Sequence, residues 1–127
     1  MKIAALIARI LVGLVFFVFG LNGFLHFIPM KGLPPGLAGQ FLTALIQSHY
    51  VYFVSATQLI GGVLLLVNRY VPLGLTLLGP VIVNILLYHA TMDHAGLGLA
   101  IVVAILWCVV AYRDRQYFSG LFVQKTS

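Results

Sequence analysis

Six polar side chains interrupt otherwise apolar stretches of this chain and are its candidates for chemistry: Asn22, His26, Gln58, Asn84, Tyr88 and His89. Amide, phenol and imidazole groups exchange hydrogen bonds without a permanent charge. In apolar surroundings they suit recognition of a small apolar ligand bearing carbonyl groups, such as a quinone. Other chemistries lack their parts. Cys108 is the single cysteine, which excludes an internal disulfide, a CxxC pair and a thiolate metal cage. Asp93 is the only acidic residue outside the tail, and no acidic pair, nucleophile-base motif or phosphate loop is present, so an independent enzyme is disfavoured. His89 and Asp93 stand four residues apart near His49 and His94, a spacing too weak to assign a metal. A haem between His26 and His89 is chemically feasible but has nothing further in its favour.

Spacing groups these residues. Asn22 and His26, at i and i+4, share one helix face. Gln58 has Ser55 and Thr57 nearby. Pro80, Asn84 and Tyr88 fall on one face, whereas His89 lies about 140° from Asn84 in an ideal helix and joins it only if the helix end unwinds. Pro80 deprives the Thr76 carbonyl of its usual partner and predicts a kink. Gly20 and Gly23 flank Asn22, and Gly61 and Gly62 follow Gln58 by one turn, marking places where helices can approach closely. The structural alternative is that each amide bonds across helices, for about 0.6 kcal/mol. Likewise Phe16, Phe17, Phe19, Phe24 and Phe27 serve equally well as lipid-facing or core residues.

The elements that must position these groups follow from composition. Of 127 residues 62% are hydrophobic and 7% charged, which excludes a water-soluble globule and a disordered chain. Apolar runs at about 3–28, 50–67, 71–90 and 96–112 each suffice for a bilayer core of about 30 Å. They predict an all-α, polytopic transmembrane four-helix bundle, with 1–127 forming one transmembrane domain. The first run is read as a retained span, being too long for a signal peptide. Within about 37–49, Leu37, Phe41, Leu42, Leu45 and Ile46 recur at helical spacing between Gln40, Thr43 and Gln47, predicting a short amphipathic helix on the outer surface. The net charge of +5 is scattered singly, which is no nucleic-acid footprint. Lys2, Arg9, Arg69, Arg113, Arg115 and Lys125 would share one side, against Lys31 on the other, so both termini are expected to be cytoplasmic. The six candidate site residues then fall in the outer half or near the middle, and Arg9 is expected to snorkel to the inner surface.

The segments ARILVGLVFFVFGLNGF, QLIGGVLLLVNRYVPLG and LGPVIVNILLYH resemble, in order and spacing over nearly the whole chain, the DoxX-like family of small four-span bacterial membrane proteins. Gln58 stands where many of those proteins carry a glutamate before Gly-Gly, so an ionisable carboxylate is missing here. Members of the wider group include a small subunit of a thiosulfate:quinone oxidoreductase, a protein required for methylamine utilisation and proposed receptor chaperones. The resemblance implies an accessory protein of redox or respiratory metabolism in the bacterial inner membrane, binding a quinone-like or other small apolar ligand near the outer leaflet. The alternative is an assembly factor or partner subunit of another membrane protein, or a homo-oligomer, docking through Gly98, Val102 and Ile105 of the fourth span.

Overall fold

A computed structural model describes residues 2–25 and 32–125. Its helices are α1 (Lys2–Leu25), α2 (Gly36–Gln47), α3 (Tyr50–Val67), α4 (Val71–Thr91) and α5 (Leu97–Arg113). Short 3₁₀ segments lie at His94–Gly96 and Arg115–Phe122, and no strand occurs among the described residues. The expected continuation of the first span to Ile28 lies outside the described residues, as do His26 and Lys31. Four helices are long and apolar enough to cross a membrane: α1, α3, α4, and α5 with the 3₁₀ turn before it. In hydrocarbon a helix satisfies its own backbone, so such sequences form helices wherever the apolar run is long enough. The chain has the make-up of a membrane protein in contact with lipid.

Helix α3 packs against α1, α4 and α2, and α5 closes against α1 and α4. Adjacent glycines explain how α3 serves two long neighbours. A Cβ placed on Gly62 would lie 2.6 Å from the Phe17 nitrogen of α1, and one on Gly61 would lie 2.6 Å from Leu78 Cγ of α4. Successive residues are about 100° apart on a helix, so each glycine opens one face. From the α1 side, a Cβ on Gly20 would meet the Leu59 backbone at 2.7 Å, and one on Gly23 would collide with Ser55. As residue numbers rise along α1 they fall along α3, so the two helices are antiparallel. The fully buried Val12, Phe16, Leu65, Leu75, Leu78 and Val110 fill the remaining interior.

The α3–α4 connection is three residues long. Asn68, at φ 57°, takes the left-handed conformation after α3. Its N–H donates to the Leu65 carbonyl (3.3 Å) and that of Arg69 to the Leu64 carbonyl (3.1 Å). This paired arrangement is a Schellman C-cap, which an asparagine tolerates better than most residues. The Leu65 carbonyl also accepts from an Arg9 guanidinium N–H of α1. Arg9, expected to snorkel to the aqueous surface, also brings its charge to the negative end of the neighbouring helix, where a cation is favoured. A guanidinium has more donors than that one carbonyl consumes, so snorkelling and this bond are compatible.

Two outcomes test this packing. Gly20→Ala and Gly62→Ala each place a methyl against backbone and should lower stability in detergent by about 1–3 kcal/mol. Gly98→Ala, with open space around it, should be neutral or stabilising by up to about 1 kcal/mol; thermal unfolding midpoints compare the three. Arg9→Leu should cost about 1.5–3 kcal/mol through loss of a charged hydrogen bond, while Arg9→Lys keeps a donor and should lose less, as read by recovery of folded protein after heating.

Candidate functional site

The polar residues of the long helices divide by where their hydrogen bonds go. Several bond back to the preceding turn of their own helix: Thr57 to the Phe53 carbonyl (3.0 Å), Thr76 to Pro72 (2.8 Å), and Thr91 to Leu87 (2.6 Å). Asn84 belongs to this group. Its Nδ2 donates to the Pro80 carbonyl (2.9 Å), and the residue is exposed on α4. The helix runs unbroken through Pro80 from Val71 to Thr91.

Gln58 differs. It is half-buried, and no hydrogen bond from its side chain occurs among the described residues. Its direction follows from its neighbours on α3. Ser55, Leu59 and Gly62 meet α1, while Gly61 and Leu65 meet α4. At about 100° per residue, Gln58 falls between those two faces, and its unbonded amide atoms stay accessible, since no buried side-chain N or O among the described residues lacks a partner. On α1, Val12 and Phe16 are buried and Gly23 faces Ser55 of α3. Asn22 is half-buried, about 100° round the helix from Gly23 and about 20° from Val15, which packs against the core.

At the opposite end of α4, Tyr88 is half-buried. Its ring packs against Phe41 of α2, with centroids 5.5 Å apart, and edge-on against His89 at 4.9 Å. Helix α2 therefore reaches α4 with one of the apolar residues of the expected amphipathic face. Leu37 and Ile46 of that face are exposed, and Ala38 and Gly39 are turned inward instead. His89 does not turn toward Asn84. Its Nδ1 lies 2.9 Å from the Asp93 carbonyl and its ring rests against Gly96, so it braces the turn into α5. Asp93 in turn accepts from the Ala95 N–H at 3.2 Å.

The structure thus joins Tyr88 to His89 and Asn84 to Pro80. His26 lies outside the described residues. Among the described residues no group of three or more metal-ligating side chains occurs, and His49, His89, Asp93 and His94 form no such group. His49 instead stacks on Tyr52 (5.8 Å, 8°), which stacks on Phe24 (5.7 Å, 14°).

Two further features involve α5. Trp107 Nε1 donates to the Leu75 carbonyl (3.0 Å), tying α5 to α4 one residue before the Thr76 carbonyl that Pro80 cannot serve. The lone Trp in the fourth span was the available signal. The second is an apolar groove of about 480 Å³ between α4 and α5, lined in part by Leu86, Ile105 and Cys108. Neither it nor the concavity on α2 around Gln40, Thr43 and Gln47 is lined by any of the six candidate residues.

No family model matches the chain, and no solved structure matches it. Over 79 residues, 61% of the chain, it is 32% identical to the uncharacterized protein YwoB of Bacillus subtilis (strain 168). The matched part spans about half, 51%, of that protein's length.

Proposed function

We propose that this chain is an accessory membrane protein of redox or respiratory metabolism, as the resemblance to DoxX-like proteins implies, and that it binds a quinone-like or other small apolar ligand. In this reading the long helices form one transmembrane four-helix bundle in the bacterial inner membrane. Both termini are cytoplasmic, α2 lies on the outer surface, and the chain needs no catalytic machinery of its own. The observation that supports a ligand is Gln58. Its amide is accessible and no other side chain or backbone group among the described residues takes up its donors, so a ligand carbonyl can accept from it. Gln58 is neutral, so it can hold a ligand but cannot take its proton. Tyr88, Phe41 and His89 would supply apolar walls toward the outer end, with Asn22, His26 and Asn84 as secondary polar contacts.

A partner-subunit role is the second reading. It is favoured by α5, where Gly98 has open space around it and Val102 and Ile105 are about half exposed, a surface another helix can approach.

The readings separate on one measurement. Gln58→Leu should weaken binding of a short-chain benzoquinone by about 10-fold, the effect of one lost buried hydrogen bond, whereas Asn84→Ala, which loses a bond within its own helix, should change it little. Equilibrium titration of the purified proteins reads both. Equal affinity in wild type and Gln58→Leu, or no binding at all, would defeat the ligand reading. Loss of a co-purifying membrane protein on Gly98→Leu, with Gln58→Leu silent, would establish the partner reading.

A further inference from the structure

We propose that the groove between α4 and α5 binds one anionic phospholipid, with an acyl chain along its apolar wall and the phosphate at Arg113 and Arg115. This rests on the membrane placement above and is independent of Gln58. The groove is lined by Leu86 of α4 and, on α5, by Ile101, Ala104, Ile105, Cys108 and Tyr112 among others, and its surface is almost wholly apolar. Its length is informative. From Ile101 to Tyr112 a helix rises about 16 Å, half of a hydrocarbon core of about 30 Å. That is the depth of one leaflet, the reach of a single lipid tail.

The groove ends where the charge begins. Arg113 follows Tyr112 and is exposed. The Arg115 guanidinium lies over the Tyr112 ring, 4.3 Å from its centroid, and donates to the Tyr112 carbonyl at 2.8 Å. This holds Arg115 at the mouth of the groove with further N–H donors to spare. Asp114 between them is half-buried and offsets one charge, leaving the mouth net positive. A headgroup bearing a phosphate and no ammonium complements such a mouth, and a zwitterionic one does so less well. A second copy of the chain complements it poorly. It would bring its own Arg113 and Arg115 to the contact, and its only acidic residues are Asp93 and Asp114.

Cys108 is an exposed thiol in the groove and the only one in the chain, so it reports occupancy directly. The full-length protein in detergent is reacted with a maleimide in the presence of dioleoyl phosphatidylglycerol, dioleoyl phosphatidylcholine or glycerol phosphate. Phosphatidylglycerol should slow labelling on the order of 10-fold more than phosphatidylcholine, the effect of two arginines near a headgroup. Glycerol phosphate should not slow it. The Arg113→Gln/Arg115→Gln double variant should erase the difference between the two lipids, and Ile105→Trp, which fills the groove from an exposed position, should abolish retention of phosphatidylglycerol in native mass spectrometry. Equal protection by both lipids, protection by glycerol phosphate alone, or a Cys108–Cys108 cross-link between copies in phosphatidylglycerol vesicles would each overturn the site. Wild-type protein released from membranes by alkaline washing would overturn the membrane placement and the site with it. Protein that stays inserted but fails the lipid comparison overturns only the site.

Discussion

The close approach of α1 to α3 is the contact on which the rest of the structure depends. Apolar side chains gain little by leaving lipid for one another, so helices in a bilayer hold together through van der Waals fit and a few hydrogen bonds. Glycine provides that fit by letting backbones touch. Gly20 and Gly62 bring α1 and α3 so near that a methyl group at either would meet backbone atoms. The same approach brings Arg9 within reach of the Leu65 carbonyl. Gly61 then turns the opposite side of α3's glycine pair to α4, and Trp107 ties α4 to α5 through the Leu75 carbonyl. Each later contact presupposes the first.

Much of this architecture is legible in the residue order. Long apolar runs between charged or Gly- and Pro-rich breaks specify an all-helical chain with four helices able to cross a membrane, because in hydrocarbon the helix is the only single-segment way to satisfy a backbone. Gly61 and Gly62 were recognisable as a place of close approach. Their division between two neighbours was not, because a glycine signals available space without saying which helix fills it. For α2 the spacing of Leu37, Phe41, Leu42, Leu45 and Ile46 predicts a helix, and one forms over Gly36–Gln47, with Ala38 and Gly39 turned to the protein and Leu37 and Ile46 exposed. Small residues there let the helix lie close to its neighbours.

The candidate site was harder to read for a related reason. A polar residue inside a span looks from sequence like a group in search of a distant partner. Thr57, Thr76, Asn84 and Thr91 show another solution, since each finds an acceptor one turn back on its own helix. Such a bond satisfies the donor locally, so the residue can stand on any face of its helix. Depth alone therefore cannot establish that Asn22, Gln58 and Asn84 converge, because helical phase decides which way each one points. Counting steps of about 100° from Gly61 and Gly62 places Gln58 between the sides of α3 that meet α1 and α4, but that count requires knowing which helix each glycine meets. His89 illustrates the same limit: its ring is taken up by the turn that Asp93 and Gly96 build.

The two arginines with described hydrogen bonds link this packing to orientation. Arg9 donates to Leu65, in the last turn of α3, and Arg115 to Tyr112, in the last turn of α5. The negative ends of two helices thus each receive a guanidinium. Helices α3 and α5 run in the same direction, so both of these ends lie on one side of the molecule, with Arg69 and Arg113 beside them. Placing cations there lowers the energy of the folded helices through the aligned peptide dipoles. The same placement gathers positive charge at one end of the molecule, the kind of asymmetry that insertion reads when it sets topology. A chain of alternating direction with its basic residues at the C-terminal ends of every second span satisfies both demands at once. Moving those residues to the opposite ends would reverse both effects together, so in this topology folding energetics and insertion select the same orientation.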